Sequence, residues 1–135
     1  MGSDRRDYVV RGRVVEWDAR RVRKVEDVLA AWDVIQADDA VRPDSGLLID
    51  NGESDFDVPG GDVTRLAEAV AQRLPKIGAV AILVSRTVHY GMARQFQAFA
   101  DRGRAAIQVF RDIELARQWL AERTASPPPD PASRA

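Results

Sequence analysis

Six consecutive apolar residues, Ala79 to Val84, constrain this chain more than any other stretch. A run of that length bounded by polar residues reads as a strand buried on both faces, the kind found in a parallel α/β sheet. Ser85 to His89 make a polar turn, and Tyr90-Gly91-Met92-Ala93-Arg94 then opens an amphipathic helix. In parallel α/β sheets the turn after a buried strand is where ligands and partners are met. This turn also holds His89, the only histidine in the chain.

The rest of the chain repeats that grammar. Tyr8 to Trp17 is rich in valine and aromatic residues around Gly12, and reads as one bent strand or two short ones. From Val22 the period turns helical, with Val25, Val28, Leu29, Trp32 and Ile35 on one face and an end near Asp38. Arg42 to Gly46 is turn chemistry, and Leu47-Leu48-Ile49 a short buried strand ending at Asp50. Asp62 is the expected N-cap of a second helix with Val63, Leu66, Ala67, Val70 and Leu74 inward, stopped by Pro75 and Gly78. After the central strand, Met92, Phe96 and Phe99 face the core of a third helix that Gly103 ends. Ala105 to Phe110 is the last strand, and Asp112 caps a last helix carrying Ile113, Ala116, Trp119 and Leu120.

Strands alternating with helices require crossover connections. The expected fold is therefore α/β, with a mixed, mostly parallel sheet of four or five strands and helices packed on it. A chain of 135 residues with 45% hydrophobic content suits one domain, expected over 8–123 between a flexible N-terminus at 1–7 and a proline-rich, disordered tail at 124–135. Without cysteine there is no disulfide framework, thiol catalysis or cysteine-ligated zinc. No apolar run approaches the ~20 residues of a membrane span, and the charged start lacks a signal-peptide core. The expectation is a soluble, cytoplasmic protein.

A net charge of −1 provides no global field for nucleic acid. Basic residues do gather near the N-terminus, including Arg20, Arg21, Arg23 and Lys24, and acids gather over 38–62. The first cluster is readable as an anion patch, but a solvated segment balanced by the acidic loop is the simpler account. Nucleic acid is therefore not an expected partner.

Right-handed crossovers would bring Asp50, Ser85 with the 86–89 turn, and Arg111-Asp112 to one sheet edge. Asp50, Ser85 and His89 have the residue types of a hydrolytic triad, yet Ser85 has no glycine beside it to form the sharp turn a nucleophile needs. The acidic run after Asp50 fails the spacing of a calcium loop, and a lone histidine does not build a zinc site. Neither a cofactor nor a metal is expected. Tyr90 and Arg94 share a helical face opposite the core residues. The free N–H groups of that helix start, with Arg86 and Arg94, suit a carboxylate or phosphate.

The Leu47-Leu48-Ile49-Asp50 strand after a Pro-Asp-Ser-Gly turn, the Ala79–Ser85 run leading into His89-Tyr90-Gly91-Met92-Ala93-Arg94, and the closing Val109-Phe110-Arg111-Asp112…Trp119-Leu120 element together resemble the SpoIIAA-like proteins. These are small bacterial domains of the STAS and CRAL-TRIO type, and the resemblance covers about residues 8–122. It implies a mixed sheet with helices packed against it, and a non-enzymatic role in binding another protein, as in anti-sigma factor antagonists, or a lipid. The Asp-Ser pair that antagonists phosphorylate at a helix start is missing from Gly60-Gly61-Asp62-Val63-Thr64.

The expected function is thus a non-enzymatic interaction or regulatory module, whose partner is another protein or a homodimer mate. The alternative is a binder of a small anionic or amphipathic ligand at the 85–94 turn. The candidate contact residues are Asp50, Ser85, Arg86, His89, Tyr90, Arg94 and Arg111.

Overall fold

A computed structural model describes residues 7–22, 24–52, 60–85, 91, 94–98 and 105–124. Valines and aromatics at the N-terminus form two short strands, β1 (Tyr8–Arg11) and β2 (Val14–Asp18), joined by a tight turn in which Gly12 adopts φ 60°. A left-handed residue is what a two-residue hairpin demands, and glycine supplies it without a Cβ clash. The chain then runs through α1 (Val25–Ala37), β3 (Ser45–Gly52), α2 (Gly60–Arg73), β4 (Ile77–Val84), a helical segment at 94–98 (α3), β5 (Ala106–Phe110) and α4 (Ile113–Thr124).

The five strands form one sheet in the order β1-β2-β3-β4-β5. β1 pairs antiparallel with β2, and the other pairs are parallel. This is the α/β architecture with a mixed, mostly parallel sheet that the alternation of periods predicts. Every crossover steps one strand in the same direction. Right-handed connections that all step the same way place their helices on one face of the sheet. On that face Trp17, Leu47, Ile49, Val80, Ile82 and Ile107 meet Leu29, Trp32 and Ile35 of α1, Leu66 and Val70 of α2, and Phe96.

Among the described residues the opposite face has one helix. Ala116 and Leu120 of α4 are fully buried against Leu48, Ala79, Ala81 and Leu83, with Val14, Phe110, Ile113 and Trp119 around them. The small residues of β4 let the helix sit close to the sheet. Gly46 of β3 does the same: a Cβ there would lie 2.9 Å from Leu120 Cδ2 and 3.0 Å from Thr124 Cγ2. α4 packs on β2 to β5, and Val9 on the β1 side of that face remains 52% exposed.

Several boundaries differ from the sequence expectations. β3 begins at Ser45, two residues inside the expected turn, because Ser45 and Gly46 pair in register with Ile77 and Ala79. β4 takes in Gly78, expected to lie outside the strand. That glycine falls at the register shift between Ser45 and Gly46, where a bulge suits it. α2 starts at Gly60, so Asp62 lies inside the helix and is not its N-cap. Asp7 belongs to the ordered domain, since its carbonyl accepts the Asp18 N–H at 2.7 Å. Thr124 is the buried last residue of α4 and belongs to the domain as well. The rest of the expected N-terminus and tail lies outside the described residues, as do Met92 and Phe99. Among the described residues no helix is long and apolar enough to cross a membrane.

Candidate functional site

Parallel register sets the carboxyl ends of β2, β3, β4 and β5 side by side, with Asp18 opposite Asp50 and Asp50 opposite Leu83. Side chains alternate along a strand. Val15 and Trp17 of β2 therefore enter the large core, and Glu16 and Asp18 point to the α4 side. Asp50 joins them from β3, and Val9 of β1 stands directly across from Glu16. Together with Ile113 and Arg117 from the start of α4, these residues enclose a groove of about 190 Å³.

Two arginines are engaged along its walls. Arg20 chelates Asp18, with Nε on Oδ1 at 2.8 Å and Nη2 on Oδ2 at 2.9 Å. This bonding holds the Asp18 carboxyl below its ordinary range. Arg117 makes the same two-pronged contact with Glu16, both bonds at 3.0 Å, across 101 positions of sequence. A fork of two parallel bonds fixes geometry as well as charge. Asp50 has no such partner among the described residues. Its half-buried carboxyl is pushed above the ordinary value by desolvation. The Arg20 charge acts against that rise, the Asp18 charge adds to it, and the Gly52 N–H bonded to Asp50 favours the ionised form.

The sign of that balance leads to a prediction. A carboxyl whose folded pKa is raised binds more protons folded than unfolded between the two values, so stability falls as pH rises through that window. Asp50→Asn is therefore expected to be slightly stabilising at neutral pH, by less than about 1 kcal/mol because the group is partly solvated. The difference should vanish below the carboxylate range, at about pH 3. Urea denaturation at the two pH values measures it, and a destabilised variant at neutral pH would refute the electrostatic account.

Of the residues singled out by sequence, Asp50 lies in the groove, two residues before the end of β3, which pairs on to Gly52 beyond the expected end at Asp50. Ser85 follows β4 on the neighbouring strand end, exposed, with its hydroxyl donated to the Gly52 carbonyl and its backbone N–H to the same oxygen at 3.3 Å. Arg111 follows β5 one strand further along and is exposed. The three strand ends thus share one edge, as the crossover argument expects. Arg94 is exposed at the start of 94–98, so this half of the expected Tyr90–Arg94 face points away from the core. Arg86, His89 and Tyr90 lie outside the described residues. Arg20, from the basic cluster for which a solvated segment is the simpler account, is bonded to Asp18.

Sequence reading missed Glu16, Asp18 and Arg117, and did not foresee that Arg20 pairs with Asp18. The first two carried a signal, because polar residues alternate with Val15 and Trp17. Nothing local marks Arg117 as the partner of Glu16. No three carboxylate or histidine groups among the described residues are arranged to hold a metal ion. Comparison with known proteins gave no match: no family model fits the chain, and no curated protein or solved structure is significantly similar to it.

Proposed function

We propose that this chain is a non-enzymatic interaction module of the STAS-like class, similar to the SpoIIAA-like proteins and working in the cytoplasm. Its contact surface is the edge formed by the strand ends around Asp50. The mixed sheet with helices packed against it is the architecture that the resemblance implies. The observation that carries the reading is the shape of the groove. At about 190 Å³ it is smaller than the roughly 300–1,000 Å³ of sites that enclose a small molecule. It opens beside an exposed strand, so it suits a projection of another protein better than a whole metabolite.

Affinity capture from a lysate of the natural host, with the full chain as bait, tests the proposal. Ser85→Arg places a long charged side chain on the same edge at an exposed position. A specific protein retained by the unaltered chain and lost from a folded Ser85→Arg variant is the expected result. A small-molecule adduct in native mass spectrometry, with no protein captured, would replace this reading by ligand binding at the 85–94 turn. Capture that Ser85→Arg leaves unchanged would move the contact surface elsewhere.

A further inference from the structure

The β1 side of the α4 face forms an open strip of sheet, and the groove lies along it. The strip has a definite chemistry. Its apolar part is Val9, Leu48 and the first turn of α4 at Ile113. Its charged part sets four carboxylates, Asp7, Glu16, Asp18 and Asp50, against two guanidiniums, Arg20 and Arg117. Both guanidiniums are bonded to carboxylates of the groove itself, Arg20 to Asp18 and Arg117 to Glu16. Asp7 and Asp50 form no ion pair among the described residues, although the Arg20 and Arg117 charges lie within electrostatic reach of Asp50. Arg11, on the same face of β1, stands opposite Val14 and so at the other end of the strip.

We propose that this groove receives a basic side chain, arginine or lysine, projected by the partner protein. The inference rests on the interaction reading above and specifies the chemistry of the contact. Asp7 and Asp50, which form no ion pair among the described residues, attract the cation, and the apolar wall covers the methylene stem, the division long basic side chains favour. The volume agrees, equivalent to about six waters at ~30 Å³ each, enough for one long side chain. The walls already bind guanidinium in this manner twice, through Glu16 and Asp18. Asp50, directly beside Asp18 in register, offers the third carboxylate.

A test that needs no partner uses N-acetyl-arginine N-methylamide as the probe, titrated into the isotope-labelled full chain and followed by amide chemical shifts. The glutamate counterpart serves as the control. The expected result is saturable shifts at Val9, Asp18, Asp50 and Ile113 with the arginine probe alone, in the millimolar range. Asp50→Asn should weaken them by about fivefold, the effect of one partly exposed ion pair. Val9→Lys, at an exposed edge position, places an ammonium of the chain's own at the groove and should weaken them as well. Shifts that are absent, that lie elsewhere, or that persist unchanged in both variants would overturn the inference. A partner captured by the chain in that case would leave the interaction reading standing with a different contact chemistry. Conversely, the shifts can appear even if no partner is ever captured.

Discussion

Leu120→Ala is expected to destabilise the protein by about 2–5 kcal/mol, read from urea denaturation, with a fall in Tm on the order of 10 °C. Leu120 is fully buried and packs directly over Gly46 with no room for an intervening side chain. It belongs to the apolar cluster formed with Leu48, Ala79, Ala81 and Leu83. The alanines among them cannot reach into the space left by the lost methyls, so the cavity persists. No second helix shares this face among the described residues. Partial release of α4 would expose the cluster and should appear as raised amide exchange in α4 while α1 stays protected. A loss below about 1 kcal/mol would show that α4 does not hold this face closed.

Trp32→Ala is expected to act as strongly on the other side of the sheet, at about 3–5 kcal/mol. Trp32 is only 1% exposed, at the centre of the inward face of α1. Its indole Nε1 has no acceptor among the described residues, so the ring is held by packing and carries a desolvated N–H. That makes Trp32→Phe informative. Phenylalanine loses volume but also removes a buried donor, whose unsatisfied state costs roughly 1–3 kcal/mol. The phenylalanine variant should therefore keep most of the stability that alanine forfeits. Equal damage from both substitutions would mean that the indole N–H does find a partner.

The elements most legible in the sequence are those whose pattern and burial agree. The run Ala79–Val84 makes up all of β4 after Gly78, and Val25, Val28, Leu29, Trp32 and Ile35 are the buried stripe of α1. Asp112 accepts the Glu114 N–H at 2.8 Å and begins α4 as expected. The misplaced starts of β3 and β4 both involve a glycine. Gly46 and Gly78 are local turn signals, yet both lie inside strands: Gly46 sits beneath Leu120, where a Cβ would not fit, and Gly78 falls at a register shift. Local propensity gives way when packing needs a missing Cβ.

The candidate site was legible to the extent that topology dictates it. Asp50 could be placed near a strand end because the hydrophobic run before it stops there, although β3 runs on to Gly52. Its surroundings could not, because the groove depends on which face each residue of a short N-terminal strand adopts. The pairing of Glu16 with Arg117 is a consequence of α4 returning to the sheet, and no local rule spans that separation.

The sequential order of the strands also bears on how the protein is made. Each strand after the first pairs with the one synthesised just before it, so the sheet can grow at a single advancing edge as the chain leaves the ribosome. No strand must be inserted between two that have already paired. Helices α1 and α2 can cover their face as it forms. The other face has to wait: Leu48, Ala79, Ala81 and Leu83 lie bare to water and chaperones until α4, the last described element, has emerged.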